Sequence, residues 1–333
     1  MKTQLTHSFE DIICLENLLE AWKEFEKGKK YKKDVQEFSM RLMDNIFSLH
    51  SYLINHTYNH GGYQAFKIND QKPRDIHKAS VRDRLLHHAI YRILYPFFDK
   101  TFIADSYSCR NKKGTHRAIN KFKEYVNIVS KNNTKTCWIL KCDIKKFFAN
   151  INHQLLLKLL QEYVPDKNIL SLLENIIDSF PKGLPLGNLT SQLFVNIYMN
   201  KFDQFAKHKL KAKCYIRYAD DFVFLSQNKN QLENQIPIIE KFLQEELKLE
   251  LHPNKVSIKT LASGVDFLGM VNFSHHRILR TKTKRRMIKK LEGKKQDLEN
   301  KFISKKLFEQ SLQSYLGVLG HCDGHKIEKQ IMF

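Results

Sequence analysis

Hydrophobic positions divide the chain into a helical beginning, a β-rich middle and a basic helical end. Phe9, Ile12, Ile13, Leu19, Trp22 and Phe25 recur at steps of three and four residues after Ser8. With acids in the first turn, this spacing predicts a helix that Lys27-Gly28-Lys29-Lys30 closes. Further helix is expected from about Val35 to Asn55. Asn59-His60-Gly61-Gly62 then reads as a turn before a strand-like Tyr63–Ile68. Cys137–Asp143 predicts a strand ending on an acid, and Asn152 caps a helix running to about Tyr163. The loop Phe180–Gly187 feeds a helix with Leu193, Phe194, Ile197, Tyr198, Phe202 and Phe205 on one face. Two β-rich runs, Cys214–Tyr218 and Phe222–Leu225, flank a tight acidic turn. A helix near Gln235–Leu247 precedes strands at Lys255–Thr260 and Val265–Asn272. Met287, Ile288, Leu291, Leu298 and Phe302 stripe a last helix crowded with Lys and Arg. The sum is an α+β chain without repeats or low-complexity linkers.

Composition narrows the partners. The 333 residues carry 56 Lys+Arg against 35 Asp+Glu, a formal net charge of +21. Solubility asks for a net charge of only about 2–8 in magnitude, so the excess predicts a polyanionic partner such as nucleic acid. With 42% hydrophobic residues a real core is expected and disorder is excluded. No run reaches the roughly 20 apolar residues of a membrane span, and Met1–Thr6 lacks a signal-peptide core. The six cysteines form no CxxC pair, which argues against a zinc ribbon or a disulfide framework. A cytoplasmic location without membrane contact is expected.

The candidate chemistry lies in Tyr218-Ala219-Asp220-Asp221. Adjacent carboxylates in a hairpin turn repel each other, and a cation would relieve them. Asp143, ending another strand, offers a third acid. Three acids on neighbouring strands suit hard cations that prefer oxygen ligands, and two such ions about 3.5–4 Å apart serve an in-line phosphoryl displacement. The plainer alternative is a polar hairpin turn, where Asp is common.

Tyr218-Ala219-Asp220-Asp221 resembles the YxDD motif of reverse transcriptases, and the resemblance runs over about residues 60–320. Asp143-Ile144-Lys145-Lys146-Phe147-Phe148 resembles the first catalytic block of that family. The resemblance implies a right-hand polymerase fold: an N-terminal helical extension (1–60), fingers (61–135), a palm with an antiparallel sheet (136–272, with a fingers-side insertion about 150–190) and a basic helical thumb (273–333). It implies two Mg2+ ions held by Asp143, Asp220 and Asp221, with Ile144 in the same metal set. It makes Phe148 the gate against a ribose 2′-hydroxyl. Arg74-Asp75-Ile76 and Tyr107-Ser108-Cys109-Arg110 look like the blocks that clamp the incoming dNTP, through Arg74 and Arg110. His252-Pro253-Asn254-Lys255 matches a later block whose Lys255 protonates the leaving pyrophosphate. Phe267-Leu268-Gly269 and Ser314-Tyr315-Leu316-Gly317 look like the primer-grip hairpin and the thumb of bacterial forms.

Most bacterial members carry Gln-Gly-x-x-x-Ser-Pro after the first catalytic Asp, whereas this chain reads Leu186-Gly187-Asn188-Leu189-Thr190-Ser191-Gln192. That block, with Val81–His88, resembles the reverse transcriptases of diversity-generating retroelements. Leu186, Gly187 and Gln192 then belong to the substrate site, and an aliphatic Leu186 loosens control over the nascent base pair. The resemblance implies adenine-selective, error-prone cDNA synthesis from a template-repeat RNA, an RNA/cDNA duplex as product, and a small basic pentameric accessory protein. Retron enzymes carry a Val-Thr-Gly signature missing here, and group II intron proteins add domains for which 333 residues leave no room. A two-metal nuclease would explain neither Phe148 nor the fingers blocks. A non-catalytic RNA-binding or defence protein keeping the fold is the remaining rival. Along Arg277–Lys306, Lys284, Arg285, Arg286, Lys289 and Lys290 would track a duplex backbone, against the usual alternative of a solvated helix face.

Overall fold

The computed structural model describes residues 3–69 and 73–332; Met1 and Lys2 lie outside them. The first helical expectation is met in two pieces. Helix α1 (Phe9–Ile13) stops at Cys14, whose ψ of 149° is extended, and α2 (Leu15–Glu26) restarts at once. The kink lets Ile12, Ile13, Leu18 and Trp22 all face one core. The Val35–Asn55 helix is likewise split at Arg41 into α3 (Lys33–Met40) and α4 (Leu42–Ile54). A hairpin of β1 (Tyr63–Asn69) and β2 (Pro73–Ala79) follows, and its Ser80 hydroxyl accepts from the Asp83 N–H to start α5 (Val81–Thr101).

The segment 70–125 offered little pattern, yet it holds the 21-residue α5 and most of α6 (Thr115–Val129). Arg84, Arg92 and His87 interrupt the apolar spacing of α5. Arg84 reaches Asp34 and Arg92 reaches Glu24 and Asn17, so these polar positions dock the N-terminal helices. His87 is buried against His60, with their Nε2 atoms 3.2 Å apart, and burial pushes its pKa down to about 3. It is a packing residue.

The central sheet is antiparallel, in the order β4-β5-β3-β6, from β3 (Trp138–Asp143), β4 (Tyr215–Tyr218), β5 (Asp221–Ser226) and β6 (Ser257–Thr260). Between β3 and β4 lie α7 (His153–Gln161), α8 (Lys167–Asp178) and the long α9 (Leu189–His208), and α10 (Lys229–Leu247) joins β5 to β6. Asn152 caps α7 as its sequence predicts. Helix α9 backs the sheet. Phe202 lies against Tyr215 and Phe222, while Phe205 stacks on Phe242 of α10 at 3.9 Å.

The expected strand Val265–Asn272 is instead a hairpin, β7 (Val265–Phe267) and β8 (Met270–Asn272), because Leu268 and Gly269 take φ of 51° and 87° and turn the chain. With β9 (Arg277–Leu279) it forms a small sheet. Helices α11 (Thr281–Glu299), α12 (Lys305–Leu319) and α13 (His325–Met332) pack on it, with Met270, Leu279, Met287, Leu291, Leu319 and Ile327 in one apolar cluster that also takes Ile119 of α6.

Phe202 is the hinge of the α9–sheet packing, fully buried among four aromatic rings. Phe202→Ala should cost about 3–5 kcal/mol in urea unfolding. A loss below about 1 kcal/mol would mean that α9 does not wall the core.

Candidate active site

The sheet register assembles the acids. Antiparallel pairing of β3 with β5 sets Asp143 directly opposite Asp221, and β4 pairs with β5 down to Tyr218 opposite Asp221. Only Ala219 and Asp220 remain for the turn, and Ala219 closes it with a left-handed φ of 55°. Three carboxylates therefore meet at one end of the sheet. Burial, then the charges of Asp143 and Asp221, push the Asp220 carboxyl up to about 6. Burial also raises Asp221, which the Lys141 ammonium partly offsets.

Cations answer this crowding. Lys255 reaches Asp143 at 2.6 Å, delivered by a short 3-10 turn at Pro253–Lys255. That turn is anchored by the His252 N–H, which donates to the Asp143 carbonyl. Lys141, two residues before Asp143 on the same strand face, lies 3.9 Å from Asp221 and donates to the Asp266 carbonyl. Arg280 pairs with the Asp266 carboxylate. These groups line a cleft of about 340 Å3. Ile144 is buried, in an isolated bridge with Leu251 whose two bonds use the Asp143 carbonyl and the Lys145 N–H.

Among the described residues, no group of three or more His, Cys, Asp or Glu is close enough together to enclose a metal ion. The donor set nevertheless fits a hard cation: oxygen ligands only, in a site where burial and then the neighbouring carboxylates push the Asp220 carboxyl up to about 6.

The other expected residues fall around this centre. The half-buried Phe148 follows Asp143 in a 3-10 turn, and its carbonyl accepts from the Leu184 N–H at 2.8 Å. Gly183 fits there because a Cβ would sit 2.2 Å from that carbonyl oxygen. Leu186 is tied to the fingers hairpin: the His77 N–H donates to the Leu186 carbonyl at 2.9 Å, and Asn188 Nδ2 to the His77 carbonyl at 3.1 Å. Gly187, at φ 108°, lets the loop approach Ile76, whose Cγ2 would lie 2.8 Å from a Cβ. Gln192 is half-buried in the first turn of α9, and Arg74 is exposed on β2. On α11 Arg285, Lys289 and Lys290 are exposed, while Lys284 and Arg286 are half-buried.

Arg110 requires a correction. Its side chain is 5% exposed, bound through Nε to Asp99 and through its other nitrogens to the carbonyls of Asp99, Ile103 and Ser106. A guanidinium so consumed braces the turn after α5 and is not offered to a triphosphate. The sequence reading also passed over Lys141 and Arg217. A cation inside an apolar strand was the available signal for both, since charges are seldom buried there unless paired.

Asp220 binds its proton more tightly in the folded than in the unfolded chain. Metal-free protein therefore loses stability as pH rises from about 4 to 6 and carries the whole deficit above that. Asp220→Asn should raise the melting temperature in EDTA at neutral pH, by about 1–2 kcal/mol of stability after solvent screening. The gain should shrink towards about pH 4. Equal melting of both proteins at both pH values would remove the repulsion inferred here.

The profile of the family described as "Reverse transcriptase (RNA-dependent DNA polymerase)" matches residues 66–272. Among curated proteins the chain is 25% identical to protein YkfC of Escherichia coli K12, over 64% of this chain and 65% of that protein. It is 23% identical to the group II intron-encoded protein LtrA of Lactococcus lactis subsp. cremoris, over 59% of this chain and 34% of that one. The matched stretch thus covers less than two thirds of these relatives' own length. Of solved structures, apo telomerase from Candida tropicalis shares the fold at a TM-score of 0.51 and 13% identity, over 66% of this chain and 48% of that one. A form lacking its C-terminal domain gives 0.50 and 14%, over 72% and 60%. The hairpin fingers, the acid-bearing antiparallel palm and the helical thumb are those of a right-hand polymerase, and the chain belongs to the reverse transcriptase family.

Proposed function

We propose that this chain extends a DNA primer on an RNA template, and that it does so as the error-prone polymerase of a diversity-generating retroelement. The observation that carries the first half is the cross-strand pair Asp143–Asp221, with Asp220 in the adjoining turn. Asp143, Asp220 and Asp221, with the Ile144 carbonyl, would hold two Mg2+ ions, which when bound supply charge stabilisation to the attacking and leaving oxygens. The protein's own part is positioning and electrostatics. Phe148, five residues past Asp143, would be the gate against a 2′-hydroxyl. Lys255 Nζ donates to Asp143 Oδ1 at 2.6 Å and is the candidate donor to pyrophosphate. Arg74 on the fingers hairpin remains a candidate for the triphosphate. The exposed cations of α11 would follow the duplex backbone.

The retroelement reading rests on Leu186-Gly187-Asn188 and Gln192. Its support is local: this loop bonds directly to the fingers strand at His77, so its side chains belong to the wall between fingers and palm. That reading brings with it a template-repeat RNA, a small basic pentameric accessory protein and a cytoplasmic setting.

Primer extension on an RNA template with dNTPs tests the first half. The parent should add nucleotides in Mg2+, and Asp220→Asn should lose addition while still binding the template–primer. Near-normal extension by that variant would refute the metal assignment.

Fidelity tests the second half. Leu186→Gln should restore a polar contact at the nascent pair and lower misincorporation opposite template adenine more than opposite other bases. One net hydrogen bond is worth about 0.5–1.5 kcal/mol, so the error ratio should fall by a few-fold to about tenfold. Identical adenine error spectra from deep-sequenced cDNA would rule out Leu186 as a fidelity determinant.

A further inference from the structure

The turn that presents two of the three acids is held from beneath by one side chain. Arg217 on β4 is fully buried, and all five of its N–H groups have acceptors. Nε donates to Asp203 Oδ1 at 2.8 Å and Nη2 to Asp203 Oδ2 at 2.6 Å, a bidentate pair with helix α9. Nη2 also donates to Ser106 Oγ at 3.0 Å, and Nη1 to Asn196 Oδ1 at 3.3 Å. The second Nη1 bond, at 3.1 Å, goes to the carbonyl of Ala219. That is the residue whose left-handed φ closes the turn carrying Asp220.

The grip is fixed at every end. The Arg217 N–H donates to the Asp105 carbonyl, and its own carbonyl accepts from the Tyr107 N–H, both at 3.0 Å. Asp203 accepts a further bond from the Tyr215 hydroxyl at 2.7 Å. The guanidinium therefore cannot swing, and its Nη1 defines where the Ala219 carbonyl rests. A non-glycine residue at positive φ is held in a sparsely populated conformation that surrounding contacts must over-determine. Here the carboxylates on either side also repel.

We infer that Arg217, oriented by Asp203, is a positioning residue for the reaction: it sets the Ala219-Asp220 turn so that Asp220 and Asp221 face Asp143 before any cation arrives. It touches no substrate. A lysine would be a poor replacement, because a compact ammonium with three donors cannot span a carboxylate, two side-chain oxygens and a backbone carbonyl at once. The charge is not needed for folding as such, since a buried ion pair can often be exchanged for apolar residues of similar volume without loss. That separates a positioning role from a merely structural one.

The inference rests on the metal reading above, and the experiment keeps the two apart. Mn2+ binding is followed by the electron paramagnetic resonance of the free ion, alongside thermal melting in EDTA, template–primer binding, and kcat and KM for a dNTP. The variants are Arg217→Lys and the charge-free triple Arg217→Met, Asp203→Leu, Tyr215→Phe. In both, Mn2+ affinity should fall by about 10–100-fold and kcat by about 100-fold. Melting of Arg217→Lys, template–primer affinity and the KM for dNTP should stay near the parent's, with Arg217→Lys the less impaired. Parent-like Mn2+ affinity and kcat in a folded triple variant would overturn the inference. If the triple variant does not fold, Arg217→Lys decides alone by the same two numbers. A parent that binds no Mn2+ would fail the metal reading and this inference together, whereas equal binding by parent and variants would fail this inference only.

Discussion

Like-charge repulsion among three carboxylates, Asp143 buried and Asp220 and Asp221 half-buried, is the constraint on which this architecture turns. Backbone pairing imposes it, since the β3–β5 register leaves Asp143 and Asp221 no freedom to separate. The neighbourhood is arranged to tolerate it. Lys255 and Lys141 approach from one side, and the turn is gripped from below by Arg217. Burial raises the Asp220 carboxyl, and the charges of Asp143 and Asp221 raise it further. An enzyme that must capture hard cations gains from this, because what destabilises the empty site favours the filled one.

A second dependence links recognition of the nucleotide to the fingers. The Phe180–Gly187 loop is fastened at both ends, to the Phe148 carbonyl through Leu184 and to His77 through Leu186 and Asn188. Gly183 and Gly187 permit both contacts, each at positive φ and each where a Cβ would collide. Phe148, the Leu186 position and the β1–β2 hairpin are thus joined by hydrogen bonds into one continuous wall. A change at any of them is transmitted through main-chain bonds to the others.

Much of this was legible in the residues. A strand-like run ending on Asp143 announced β3, two β-rich runs flanking an acidic turn announced β4 and β5, and the capping Asn152 marked α7. These are local signals, with period and propensity pointing the same way. The failures have physical causes too. Helices α1 and α2 share one apolar stripe across a kink at Cys14, which periodicity cannot see. Helix α5 was obscured because Arg84, Arg92 and His87, polar in sequence, are consumed by distant partners. The hairpin at Leu268-Gly269 reads as one strand by apolar pattern because its two arms are three residues each, and only the motif resemblance at Phe267-Leu268-Gly269 marks the turn. Arg110 was assigned to a triphosphate because nothing local distinguishes a ligand-binding guanidinium from a buried brace. Only the position of Asp99 and three carbonyls decides.

That last case extends across the molecule. Arg84, Arg92, Arg110, Arg217 and Arg280 all form ion pairs with Asp or Glu, from the fully buried Arg217–Asp203 to the partly exposed Arg280–Asp266. Planar, multidentate guanidinium groups suit fixed geometry of this kind. Much of the outward positive charge is consequently carried by lysines, as along α11, where Lys289 and Lys290 are exposed while Met287 and Leu291 face the core. Ammonium groups on flexible stems are well matched to a phosphate backbone that presents charge without sequence, and they exchange partners as a duplex advances. The division of labour follows from what each step needs. The turn that presents the acids is held by a multidentate arginine, whereas the exposed lysines of α11 would suit the sliding duplex of the proposed function.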